Sequence, residues 1–209
     1  MGKQGFHRLV AAGSLAAACL GFGTAQAAVF SDDFEGTLAQ WATIGSGVIV
    51  ADPLNGANNA LSFTGLGSGG DIFSTTVTAP AGTYRLSFDV LGTCGVAACG
   101  AYIGVNAPGE QWLAGDGSYY TPNQITQTGQ WLHFDLAFTT FAASFVIKAE
   151  DFVGVAGPAG DVYFDNICVY TGTDASGCPS RTSQVPEPGS LALVGLALLG
   201  ASRVRRRKA

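Results

Sequence analysis

The stretch Glu110-Gln-Trp-Leu-Ala-Gly-Asp-Gly-Ser-Tyr-Tyr120 gathers three large rings and several hydrogen-bonding side chains. Such rings lie against the C–H faces of sugars, and a few carboxylates and amides beside them fix a sugar's orientation. Trp112, Tyr119 and Tyr120 are therefore candidate platforms for carbohydrate binding, with Gln111, Asp116 and Asn123 as polar partners. Tyr102 joins them if its strand runs beneath. The competing reading, in which these rings cap the edge of a folded sheet, uses the same residues and stays open.

Covalent chemistry has less to work with. Past the N-terminal leader the one histidine is His133, placed mid-strand, so a Ser-His-Asp triad would rest on it alone with no nucleophile elbow. A glycosidase needs two carboxylates facing across a cleft. Glu110 with Glu150 or Asp151 is the pairing to consider, but Glu150-Asp151 at a strand end reads more simply as a solvated turn or ion site. The glycines at 65–70 lack the lysine and following helix of a phosphate loop. The expectation is a protein that is not an enzyme.

Cys94, Cys99, Cys168 and Cys178 remain once Cys19 leaves with the leader. In an exported chain they imply two disulfides, with three possible connectivities. Cys94–Cys99 and Cys168–Cys178 are favoured, because each closes a short loop rich in Gly, Ala or Ser. Zinc is the rival, and it would have only His133 to complete a close-spaced set.

The elements that must position these residues read as β-strands. Tyr84, Leu86, Phe88 and Val90 alternate with Arg85, Ser87 and Asp89, the period of a half-buried strand. Leu132, Phe134, Leu136 and Phe138 alternate with His133, Asp135 and Ala137 in the same way. Shorter runs fall at 47–50, 60–64, 71–78, 101–105, 144–148 and 162–170, separated by Gly-, Pro- and Asn-rich turns. The pattern predicts an all-β sandwich. In the last run Val162 and Phe164 have one parity, whereas Ile167 and Val169 have the other. A bulge at Asp165-Asn166 is expected to shift the register there and re-aim both side chains. Binding nearby backbone groups is their simpler role.

Both ends read as addresses rather than as fold. Lys3, His7 and Arg8 precede an apolar stretch, and Ala25-Gln26-Ala27 fits a signal-peptidase site that cuts between Ala27 and Ala28. The division expected is a signal peptide over 1–27, a sandwich over 28–170, a linker over 171–184 and a sorting segment over 185–209. Between Ala28 and Val185, fourteen acidic residues against three basic ones (Arg85, Lys148, Arg181) give a formal charge of −11. The whole chain carries only −5, because the basic residues concentrate at its two ends. Such a surface argues against nucleic acid as a partner and suits divalent cations or neutral polymers.

Val185-Pro186-Glu187-Pro188 opens the tail, an apolar run from Gly189 to Gly200 follows, and Arg203, Arg205, Arg206, Arg207 and Lys208 close it. The run is short against the roughly twenty residues that cross hydrocarbon, although snorkelling ends permit a marginal span. The basic cluster would hold that end in the cytoplasm. A plain C-terminal anchor remains the alternative. The order resembles the PEP-CTERM signal of Gram-negative bacteria. That resemblance implies processing by an exosortase, transient insertion of a short hydrophobic helix in the inner membrane, and delivery to the cell surface or matrix with exopolysaccharide or biofilm.

The domain itself resembles jelly-roll carbohydrate-binding modules and their galactose-binding-like relatives, over roughly residues 31–170. The likeness rests on Asp32-Asp33-Phe34-Glu35-Gly36 followed by Trp41, on Gly129-Gln-Trp131 and Phe145-Val-Ile147, and on Asp161-Val-Tyr-Phe-Asp-Asn-Ile-Cys-Val169. It implies a jelly-roll β-sandwich, structural roles for Trp41 and Trp131, and a structural calcium tying the first strand to the last. By position its ligands would be Glu35 and Asp165, with Asp33 in reserve, an oxygen-only set of the kind calcium takes. Together these readings give an exported, non-catalytic surface or matrix protein, structural or glycan-associating. A lectin-like module is the first alternative, and a polysaccharide hydrolase or lyase the second.

Overall fold

The computed structural model describes residues 28–65, 72–94, 99–115, 123–125, 129–152 and 159–180. Among the described residues twelve strands run in chain order: β1 (Phe30–Asp32), β2 (Trp41–Thr43), β3 (Gly47–Asp52), β4 (Asn55–Phe63), β5 (Ile72–Ser74), β6 (Val77–Thr78), β7 (Gly82–Gly92), β8 (Ala101–Asn106), β9 (Glu110–Ala114), β10 (Leu132–Thr140), β11 (Ser144–Asp151) and β12 (Val162–Tyr170). A single 3-10 turn at Leu38–Gln40 leads into β2. The first sheet is ordered β10-β7-β12-β4-β3, with β1 also on β12. The second is ordered β2-β5-β11-β8-β9, with β6 also on β11. All pairings between these strands are antiparallel, and the architecture is the two-layer sandwich that the alternation predicts.

Alternation sorts the core from the faces. Leu86, Phe88 and Val90 of β7, Leu61 of β4 and Phe164 of β12 point inward from the first sheet. Ile103 and Val105 of β8, with Ile147 and Ala149 of β11, meet them from the second. Phe88 stacks on Phe134 at 5.3 Å and lies at 6.1 Å from Phe164. Each such ring, fully buried, contributes on the order of 1.5–3 kcal/mol of transfer free energy. Phe30 and Phe34 pack on Trp41 at 5.6 and 5.9 Å, so Trp41 serves the core as expected. Asp32 knots this corner together by accepting the Phe34 N–H (2.9 Å) and the Trp41 indole N–H (2.8 Å).

The bulge forms where the parity break places it. The β12–β7 register shifts between Asp165 and Cys168, and Asn166 takes a left-handed φ of 50°. At the same point β12 changes neighbour on its other side. Phe164 pairs with Leu61 of β4, whereas Ile167, Cys168 and Val169 pair with β1. The bulge therefore lets β4 leave the sheet and β1 take its place.

Three strands depart from expectation. β1, β2 and β9 lie outside the sequence-predicted runs, being short or placed within stretches that read as polar loop. β7 differs in its surroundings. It is buried on both faces from Leu86 to Gly92, not on one, because the outward Ser87 and Asp89 are themselves covered. Both expected disulfides are present, Cys94–Cys99 and Cys168–Cys178. The second ties the early part of the expected linker back onto β12.

Candidate functional site

The outer face of the second sheet carries one continuous row. Lys148 of β11 lies opposite Phe73 of β5 on one side and Gly104 of β8 on the other, and Gly104 lies opposite Trp112 of β9. Gly104 is the gap that lets its neighbours meet. A Cβ there would lie 2.1 Å from the Gln111 carbonyl oxygen and 2.9 Å from the Trp112 Cα. Across this gap the Lys148 ammonium sits 3.6 Å from the centre of the Trp112 ring. It also pairs with the carboxylate of Glu110, two residues from Trp112 and hence on the same face. Tyr102 meets the Trp112 ring edge-on at 5.4 Å and rests in turn against Phe152.

The Lys148 side chain is 1% exposed and that of Glu110 is 51% exposed. Burial pushes the lysine down to about 8, against the raising effect of the Glu150 carboxylate on the same face. Trp112 itself is half-buried. The face thus presents an indole fixed from below and from the side, bordered by an accessible carboxylate. That combination can stack on a sugar ring and accept its hydroxyl hydrogens.

The expected carbohydrate set divides here. Trp112 and Tyr102 come together, but Tyr102 is 2% exposed and supports the ring rather than offering a face of its own. Gln111 alternates away from Trp112, opposite the inward Val105, and its Nε2 donates to the Thr139 carbonyl at 3.2 Å. The reason is that β9 is a strand, so neighbouring side chains take opposite faces. Asn123 donates to the Leu113 carbonyl at 2.9 Å and anchors the chain beyond β9. Asp116, Tyr119 and Tyr120 lie outside the described residues. Sequence reasoning missed Lys148 and Glu110 as parts of this site. An inward-outward count on β11 puts Lys148 on the same face as Glu150, but nothing in the sequence pairs β11 with β9 through β8.

The outer face of the first sheet is built differently. Asn58 donates to Asp165 Oδ2 (2.9 Å), the Asn166 backbone to Asp165 Oδ1 (2.7 Å) and Asn166 Nδ2 to Asp89 Oδ2 (2.7 Å). Asp89 Oδ1 meets His133 Nδ1 at 2.8 Å. This polar row crosses four adjacent strands. Beside it Asp135 accepts from Arg85 Nε and from the Tyr170 hydroxyl, both at 2.8 Å. Trp131, just before β10, donates its indole N–H to Asp52 at the end of β3, at 3.1 Å. β3 and β10 are opposite edges of the sheet, roughly 19 Å apart if it were flat. The β3–β4 hairpin must therefore curl across this face, where Asn58, Asp165, Asn166 and Asp89 are buried and His133 at the end of the row stays exposed.

The expected calcium ligands are only partly assembled. Asp165 is fully buried and both its oxygens accept hydrogen bonds, from Asn58 Nδ2 and from the Asn166 backbone, while Asn58 Oδ1 accepts none among the described residues. Glu35 is engaged one residue along β4, taking the Asn59 backbone N–H (2.8 Å) and Nδ2 (3.1 Å). Asp33 accepts the Glu35 N–H at 3.2 Å and lines a polar cleft of about 330 Å³ with Asp32, Gln40 and residues 176–179. Among the described residues no three Asp, Glu, His or Cys side chains gather as a metal group.

One match covers the end of the chain. Residues 184–208 carry a PEP-CTERM protein-sorting motif. The motif implies export and exosortase-mediated sorting to the cell surface. Val185, Pro186, Glu187 and Pro188, the tail helix and the Ala27/Ala28 cleavage point all lie outside the described residues. No curated protein matches the chain. Among solved structures, the CBM22-1-GH10 modules of Clostridium thermocellum xylanase 10B, complexed with xylohexaose, superpose with a TM-score of 0.51 at 13% identity. That match covers 71% of this chain and 29% of the other. The CBM22-1 xylan-binding domain of Paenibacillus barcinonensis Xyn10C gives 0.48 at 16% identity, over 70% and 95% of the two chains. A family 35 carbohydrate-binding module from Clostridium thermocellum gives 0.46 at 17%, over 68% and 98%. The likeness to the xylanase 10B modules shows a shared sandwich fold.

Proposed function

We propose that the protein is an exported, exosortase-processed surface or matrix component whose sandwich associates with glycan through the outer face of its second sheet. Its role is non-catalytic. The observation that carries the reading is the Trp112 indole held between Tyr102 and Lys148 beside the exposed Glu110 carboxylate. Tyr119, Tyr120 and Asp116 follow β9 directly in the chain and would extend the same platform. The negative domain charge favours neutral over anionic polymers, so the partner is an uncharged stretch of the host's exopolysaccharide. The tail would pass transiently through the inner membrane before an exosortase removes it. Calcium would sit at Glu35 and Asp165, with Asp33 in reserve, and would brace the bulge rather than touch the glycan.

The test is retention of the purified protein on the host exopolysaccharide and on a neutral glycan panel that includes xylohexaose, with calcium and with chelator. Retention that Trp112→Ala removes supports the reading. Retention unaffected by Trp112→Ala overturns this site, and absence of retention leaves a purely structural matrix role.

A further inference from the structure

The second-sheet face holds a group that a sugar platform does not require. Lys148 is one of only three basic residues between Ala28 and Val185, and its side chain is 1% exposed. A buried ammonium is costly unless it is paired. Its partners here are the face of the Trp112 ring at 3.6 Å and the Glu110 carboxylate. Both partners come from β9, which is not a neighbour of β11 in the sheet. The lysine reaches them by crossing β8 above Gly104, where any side chain would collide with the β9 backbone. Gly104, Lys148, Trp112 and Glu110 therefore form one unit spread over three strands.

At that exposure the ammonium is shielded from a ligand lying on the indole. It acts through the ring. We propose that Lys148 is the positioning residue of Trp112: its charge clamps the indole between β8 and Glu110, and loss of its proton releases the ring. The consequence for binding rests on the glycan reading above, because a loosened ring no longer presents a fixed face. The clamp itself does not depend on that reading.

The groups that face the ammonium fix the direction of the effect. From β9 come Glu110 and Trp112; from β8, Tyr102; from β5, the uncharged Phe73; and from β11 itself, Glu150. With the proton in place, one cation offsets two carboxylates. Without it, Glu110 and Glu150 share the face without the Lys148 charge, and the attraction to the indole is lost. Burial brings this change to about pH 8, far below the ordinary lysine range.

The experiment follows the ring directly. The full protein is labelled with 5-fluorotryptophan, the resonance of Trp112 is assigned by its loss in Trp112→Phe, and its position is followed from about pH 6.5 to about pH 9.5, a window that spans the shifted lysine and excludes ordinary ones. The expected result is a shift centred near pH 8 in the native protein. Lys148→Arg should hold the low-pH position throughout, and Lys148→Met the high-pH position throughout. Glycan affinity should fall roughly tenfold over the same range in the native protein and stay flat in both variants. A Trp112 signal that does not move, or that moves equally in Lys148→Met, overturns the clamp. A signal that behaves as expected with no glycan bound at any pH upholds the clamp and overturns the glycan reading instead.

Discussion

The two outer faces of the sandwich are built from similar residue types and put them to different ends. On the first sheet, Asn58, Asp165, Asn166, Asp89 and His133 bond to one another in a row, and all but the exposed His133 are buried beside a curled hairpin pinned by Asp52 and Trp131. On the second, a single ammonium and a half-buried indole lean on each other across an empty glycine position, with one carboxylate left in solvent. The first arrangement spends its polar groups internally, which orders the backbone around a bulge. The second leaves a ring and an acceptor for something else. A tryptophan on the surface is therefore not diagnostic by itself. Trp131 locks a hairpin, whereas Trp112 offers a face.

The comparison breaks most sharply at Asp165. Asp165→Ala removes the acceptor for Asn58 and for the Asn166 backbone in a fully buried position, and should cost about 2–5 kcal/mol in denaturant unfolding while leaving any ligand contact on the second sheet intact. Replacing Cys168 and Cys178 together by Ser should cost about 3 kcal/mol, read as a lower melting temperature, because the ten-residue span between them is no longer closed. Gly104→Val tests the other face. The added atoms meet the Gln111 carbonyl and the Trp112 Cα, so β9 must move, and glycan retention should be lost with only about 1–3 kcal/mol of stability. Trp131→Phe keeps the ring but removes the Asp52 bond, which should cost about 1 kcal/mol and raise amide exchange in residues 50–58.

A pH series sharpens the contrast further. Lys148 titrates lower in the folded protein than in the unfolded chain, so the unfolded state binds more protons between about pH 8 and the ordinary lysine value of 10.5. This group's contribution to stability is therefore constant below about pH 8 and rises above it, while the clamp on Trp112 weakens over the same interval. Unfolding curves and the Trp112 signal should move in opposite senses. A common fall in both would assign the alkaline change to general unfolding.

Much of this was legible in the chain because period-two alternation reports burial directly. β10 follows it, β7 follows it in the direction of its side chains although both its faces are covered, and the parity break at Asp165-Asn166 locates a bulge that the structure contains. Pairing of close cysteines was equally readable, since short Gly- and Ala-rich spans leave few ways to close. What alternation cannot report is which strands are neighbours. β9 looked like a loop because its glycine-rich surroundings mask five extended residues, and that hid the separation of Gln111 from Trp112. The Lys148–Trp112 contact depends on β8 lying between β11 and β9 and on Gly104 falling in line with both. The hairpin's curl across the first sheet was hidden for the same reason, because Asp52 and Trp131 meet only once the hairpin curls.

The central claim is that the second sheet's outer face, and not the first, is where glycan associates. It is tested most directly by measuring retention on the host exopolysaccharide for the native protein, Trp112→Ala and Trp131→Ala side by side. Trp112→Ala is expected to lose retention and Trp131→Ala to keep it. Retention that survives Trp112→Ala and disappears with Trp131→Ala would contradict that claim and move the site to the outer face of the first sheet.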